Sequence, residues 1–161
     1  MVGLVIVAHS HKLAQGICEL AGQMAPNVRM APAGGLDDEI FGTNMERIAA
    51  ALEQAWSDDG VLVLMDLGSA VMSAEMAIEM LPPERKDKVL LSGAPIVEGA
   101  IAAAVEAAGG APLEQVANAA LEARGMSKLG GEPEAPMAAE APPEPGQAAQ
   151  EIRILVRNRV G

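Results

Sequence analysis

Two histidines, His9 and His11, follow the aliphatic run Leu4–Ala8, and the 161-residue chain has no others. Imidazoles bind metals, move protons or attack as nucleophiles. Three further stretches carry groups that could join them: Ala33-Gly34-Gly35, Asp66-Leu67-Gly68-Ser69 and Ser92-Gly93-Ala94. Together they offer one carboxylate, hydroxyls and glycine-rich backbone. A carboxylate beside an imidazole holds one tautomer and leaves the other nitrogen as a nucleophile. Backbone N–H groups at glycine turns and at a helix N-terminus suit an anion such as phosphoryl. A phosphohistidine would use all of these groups.

Other readings stay open on the residues alone. His9 could be an ordinary strand-end residue. His9-x-His11 could be a metal pair, but the chain offers no third histidine and only one cysteine, Cys18, within a helical stretch. A dinucleotide site would need G-x-G-x-x-G after the first strand, and that motif is missing there. Gly34-Gly35 could be a simple tight turn, and Asp66 or Ser69 could merely cap the next helix. His11 falls in the first helical turn and reads as an exposed or supporting residue rather than the reactive one.

The elements that must position these groups alternate. Apolar runs at Leu4–Ala8, Asn27–Ala31, Val61–Met65 and Val89–Leu91 predict strands, the continuous ones of a kind buried on both faces. Helical spacing predicts helices over Leu13–Met24, Met45–Trp56, Met72–Leu81, Ile96–Ala108 and Pro112–Ala123. Thr43 with Glu46 reads as a capping box, Pro82-Pro83 as a stop, and Pro95 as a helix start. The order predicts an open parallel α/β sheet, in which ligands bind beyond the strands' carboxyl ends. His9 and Asp66 both fall at such ends. Met72, Met76 and Met80 recur at helical spacing, as core or as a subunit interface.

Composition narrows the function classes. The net charge is −11 and aromatic residues make up 1% of the chain. Both features oppose nucleic-acid binding, which needs cationic surface and stacking platforms. The acidity lies in the body, because residues 126–150 hold one Lys and four Glu and residues 151–161 hold three Arg and one Glu. A single cysteine fits a reducing compartment, and no signal peptide or membrane span is visible, so a soluble cytoplasmic protein is expected. Glu132–Gln150, dominated by Pro, Ala and Glu, reads as a linker. The segment "EIRILVRNRVG" then alternates like a half-buried strand. The expected organisation is a domain over 1–125, a Pro/Ala/Glu-rich linker over 126–150 and a strand in 151–161.

The stretches "VGLVIVAHSHKLAQGI", "GLDDEIFGTN", "GVLVLMDLGSAVMSAE" and "APIVEGAIAAA" together resemble the phosphocarrier subunit of the bacterial phosphoenolpyruvate-dependent dihydroxyacetone kinase. Its N-terminal domain is similar to the mannose-type IIA domain of the sugar phosphotransferase system. The resemblance covers about residues 1–125 and implies a sheet of order 2-1-3-4 between helices, and a homodimer. It implies that His9 is phosphorylated, that Asp66 orients its ring, and that Gly34, Gly35, Gly68 and Ser69 bind the phosphoryl oxygens. Phosphoryl would arrive from a histidine of the carrier HPr and leave to ADP held by the nucleotide subunit of the kinase, so that dihydroxyacetone is phosphorylated. No metal or cofactor is then expected on this subunit; ADP, ATP and magnesium belong to the partner. Residues 151–161 resemble the first strand of an HPr domain, truncated at the first glycine of its histidine motif. A sugar-transporter IIA component and a non-enzymatic anion-binding α/β module are the alternatives.

Overall fold

The computed structural model describes residues 1–130. Residues 131–150 of the expected linker and the whole of 151–161 lie outside the described residues. Four strands, β1 (Gly3–Ala8), β2 (Met30–Gly34), β3 (Val61–Met65) and β4 (Val89–Ser92), form one parallel sheet in the order β2-β1-β3-β4. Six α-helices connect or follow them: α1 (His11–Met24), α2 (Met45–Gln54), α3 (Ala70–Glu79), α4 (Pro83–Lys86), α5 (Ile96–Ala108) and α6 (Leu113–Glu122).

Alternate residues of the central strands face opposite layers. Leu4, Ile6, Leu62 and Leu64 pack with Ala14, Ile17, Ala100, Ala104 and Val116 of α1, α5 and α6. Val5, Val7, Val61 and Val63 pack with Ile48, Leu52, Val71 and Ala74 of α2 and α3. Both faces are therefore covered, which is why these strands read as unbroken apolar runs. Right-handed crossovers explain the layers: β1-α1-β2 steps one way across the sheet and β3-α3-β4 the other, so their helices lie on opposite faces. The direction reverses between β1 and β3. The carboxyl ends of those two strands form the crevice where His9 and Asp66 meet.

Several boundaries differ from the sequence reading. β2 begins at Met30 rather than Asn27, because the chain leaving α1 first closes a turn in which Val28 N–H donates to Ala25 C=O at 3.2 Å. It then runs through Pro32, which an edge strand tolerates. Asn44, not Thr43, caps α2. Its Oδ1 accepts the N–H groups of Glu46 at 2.8 Å and Arg47 at 3.3 Å. Thr43 Oγ1 instead lies 2.8 Å from Ser73 Oγ on α3. α3 starts two residues early, at Ala70, and Pro83 opens the short α4 that a proline stop had hidden. Met72 and Met76 on α3 and Met80 at its C-cap are exposed, so they are not core. Among the described residues no helix is long and apolar enough to cross a membrane.

Gly34 decides how closely β2 approaches the β1–α1 turn. A Cβ there would overlap Ser10 C=O and lie 2.7 Å from His11 Cα and 2.9 Å from Ala14 Cβ. The backbone of the Ser10–His11 turn cannot step aside as a flexible side chain would. Gly34→Ala is expected to cost about 1–3 kcal/mol and to lower the melting midpoint by several degrees, read by thermal denaturation monitored by circular dichroism.

Candidate active site

His9 is the first residue beyond β1, and Ser10 caps α1 by accepting Leu13 N–H at 3.2 Å. The turn therefore places the imidazole over the ends of the strands. Asp66 is the first residue beyond β3, its N–H still donating to Val7 C=O at 3.0 Å. Its carboxylate grips His9 twice. Oδ2 accepts the His9 backbone N–H at 3.0 Å, and Oδ1 lies 3.0 Å from His9 Nδ1. Leu67 N–H also donates to Oδ1, at 2.8 Å. A carboxylate accepts only, so Nδ1 carries the proton and the lone pair of the neutral ring sits on Nε2. Ser69 Oγ lies 2.9 Å from Nε2 and donates to it. The histidine side chain is 28% exposed and Asp66 11%, so the acid is sheltered and the ring reachable.

Ser69 occupies the N-cap of α3 but makes no side-chain capping bond, which leaves its hydroxyl for His9. The N–H groups of Gly68 and Ser69 donate to no acceptor among the described residues. They stand in the β3–α3 turn, the same turn that brings Ser69 Oγ to Nε2. His9, Asp66, Gly68 and Ser69 thus share one crevice. Of the two expected glycine donors before α2, one has its N–H engaged within the fold and the other is closely packed. Gly35, at φ +74°, donates its N–H to Ala8 C=O at 3.1 Å, and Gly34 is packed under the β1–α1 turn. Both shape the turn that carries His9.

The loop 36–42 closes over the other side of His9. Gly42 N–H donates to His9 C=O at 2.8 Å, and Asp37 Oδ1 accepts the N–H groups of Glu39 and Ile40, both at 2.8 Å. Its rim is held by a cluster that no sequence motif announces. Arg47 Nη2, from α2, donates to Asp38 Oδ1 at 2.9 Å and to His11 Nδ1 at 3.1 Å. His11 therefore serves this strut, away from the His9–Asp66 pair. The Arg47 hydrogen bond, helped by His11, holds the Asp38 carboxyl below the usual carboxylate range. A depressed folded value contributes stability above the unfolded value, lost as pH falls through the folded one. That window lies below about pH 4. Asp38 is 73% exposed, so the contribution is small. Arg47→Gln is expected to return the Asp38 titration upward, measured by carboxyl NMR.

The remaining candidates do other work. Burial pushes the Cys18 thiol up to about 11, so it stays protonated and unreactive near neutral pH. Among the described residues no cluster of three or more His, Cys, Asp or Glu side chains could hold a metal ion.

Residues 3–117 match the family model described as the PTS system fructose IIA component. The chain belongs to this EIIA-man family. Within it, the chain is a DhaM-type member. It is 36% identical to the phosphoryl donor subunit DhaM of PEP-dependent dihydroxyacetone kinase 2 from Listeria innocua, over 66% of this chain and 86% of that protein. It is 41% identical to the DhaM subunit of the PEP-dependent dihydroxyacetone kinase from Escherichia coli K12, across 100% of this chain. The chain spans 35% of the length of that relative. A solved structure, the crystal structure of the unknown-function protein EF1359, superposes with a TM-score of 0.67 at 32% identity, covering 76% of this chain and 95% of that one.

Proposed function

We propose that this EIIA-man domain is a phosphohistidine relay, taking phosphoryl from the histidine of an HPr carrier onto His9 Nε2 and passing it to ADP. The ADP is bound by the nucleotide subunit of a dihydroxyacetone kinase, and the ATP formed there phosphorylates dihydroxyacetone. The observation that carries this reading is the double grip of Asp66 on His9, at 3.0 Å to the ring and 3.0 Å to the backbone N–H, which turns the Nε2 lone pair outward. In loading, Nε2 forms a bond to phosphorus while the donor N–P bond breaks and its electron pair returns to the donor ring. The proton on Nδ1 stays, so the ring becomes cationic and Asp66 balances that charge. Ser69 Oγ–H turns from Nε2 to a phosphoryl oxygen, joined by the N–H groups of Gly68 and Ser69. Discharge is the same displacement with an ADP oxygen as nucleophile. Positioning and charge balance supply the catalysis, as in other phosphoryl transfers.

In this reading the chain carries no cofactor of its own; nucleotide and magnesium belong to the acceptor. The protein works in the cytoplasm as a homodimer, and the exposed Met72, Met76 and Met80 face of α3 is an apolar surface suited to a second copy. The names of the Escherichia coli and Listeria innocua relatives support the dihydroxyacetone kinase over a sugar transporter as the destination. Incubation with phosphoenolpyruvate and the upstream carriers tests the reading. It expects an acid-labile, base-stable label that an ADP-loaded kinase subunit removes. Discharge only to a sugar-transporter IIB protein would redirect it, and binding of phosphate without covalent label would sink it.

A further inference from the structure

The crevice holding His9 opens beside a cavity that the histidine does not line. This cavity, of about 350 Å³, lies between the ends of β3 and β4, with Asp66, Leu67 and Gly68 on one wall and Ser92, Gly93 and Arg124 on the other. Ser92 is 3% exposed and is the buried polar side chain of the described residues. Its Oγ accepts the Ala94 N–H at 3.2 Å, while its own O–H meets no acceptor among the described residues. A buried donor without an acceptor calls for a ligand that supplies one. Arg124, just past α6, donates from Nη2 to Gly93 C=O at 2.8 Å. That bond pins the guanidinium at the cavity, and its other N–H groups meet no acceptor among the described residues. The first turn of α5 also opens here without a side-chain cap. The Asp66 carboxylate faces the same space, but three N–H donors already engage its oxygens.

We infer that this cavity is a second phosphate subsite, which takes the non-transferred phosphate of a nucleoside diphosphate while its terminal phosphate meets His9. The inference rests on the relay reading of His9 and extends it to how the two partners are told apart. A phosphohistidine donor brings one phosphoryl group. A nucleoside diphosphate brings a second anionic group directly beside the reacting one, and a cationic fork with an orphan hydroxyl matches its oxygens. The subsite therefore serves discharge rather than loading. Bonds change only at the transferred phosphorus: the N–P bond breaks, its pair returns to the ring, and an oxygen of the terminal phosphate bonds to phosphorus.

Two measurements on the full chain test this. In the first, ADP, or separately inorganic phosphate, is titrated into the unphosphorylated protein and amide signals are followed by NMR. ADP is expected to shift Ser92, Gly93 and Arg124, and Arg124→Gln and Ser92→Ala to weaken that response about tenfold each. Phosphate binding as tightly as ADP would mark a free-anion site and overturn the assignment to the acceptor. No shift with either would overturn the subsite. In the second, rapid quench separates loading from discharge. In both variants the apparent KM for the ADP-loaded acceptor is expected to rise about tenfold more than that for the phosphorylated carrier. Equal losses in both half-reactions would make Arg124 a staple for the β4–α5 turn and nothing more; Ser92→Ala, which leaves that staple in place, guards against misfolding. ADP-dependent shifts in a chain that never labels would remove the relay reading and leave the subsite; labelling without shifts does the reverse.

Discussion

A His9→Ala chain is expected to take up no acid-labile phosphoryl label while still folding. Asp66 holds the proton on Nδ1, which leaves the lone pair of the ring on Nε2, 2.9 Å from Ser69 Oγ. Nothing nearby replaces it. The hydroxyl of Ser69 has no base once the imidazole is gone, and His11 is engaged by Arg47 at 3.1 Å in a separate cluster. The side chain is partly exposed, so its loss leaves no large cavity. Asp66 loses its ring partner but keeps the N–H groups of residue 9 and Leu67, so the fold is destabilised by about 1–3 kcal/mol and still forms. Labelling with phosphoenolpyruvate and the upstream carriers, followed by acid and base treatment, reads the first expectation; circular dichroism reads the second. Retained label in the variant would discard His9 as the carrier, and a His11→Ala variant would then be the next to measure.

Asp66→Asn is expected to be the second most damaging change, slowing loading of His9 by about 10²–10⁴-fold. The amide is nearly the same shape, so packing survives. Its chemistry does not. The carboxylate accepts from the His9 ring, the His9 backbone and Leu67 N–H at once. An amide has a single oxygen, so its NH₂ must face either the His9 N–H or the ring. The first arrangement sets two donors against each other. The second favours the tautomer with its lone pair on Nδ1, which removes the nucleophile from Nε2. Either way the negative charge that would balance a phosphorylated, cationic ring is lost. The loading rate at saturating carrier should fall with little change in the carrier's apparent KM, since Asp66 is 11% exposed and touches the ring rather than the docking surface. A large rise in KM with an unchanged limiting rate would contradict this role.

The strands with strong aliphatic runs were readable from the chain because two-sided burial leaves an unmistakable pattern. Val61–Met65 is strand from end to end. β2 was read only in part and three residues early, because Pro32, Ala33 and Gly34 carry weak strand propensity and are held by pairing with β1. The α2 cap shifted by one residue for a similar reason. Thr43 and Asn44 are both good caps, and the contact of Thr43 with Ser73, thirty residues away, settles the choice. The glycine pairs were ambiguous in the same manner. A glycine that donates to an anion and a glycine that lets two backbones approach look alike in sequence. Gly35 proves to be spoken for by Ala8, whereas the N–H groups of Gly68 and Ser69 meet no acceptor among the described residues.

The chain by itself determined the α/β class, the strand ends on which His9 and Asp66 sit, and a crevice rich in glycine and hydroxyl groups. Those follow from periodicity and local turn chemistry, which are written in neighbouring residues. Only the tertiary structure decided that Asp66 binds both the ring and the backbone of His9, that His11 turns away to Arg47 and Asp38, and that Arg124 comes round to the end of β4. Each of these joins residues from distant parts of the chain. Hydrogen-bond geometry between such residues depends on where the crossovers set the sheet and helices, and no local pattern encodes it.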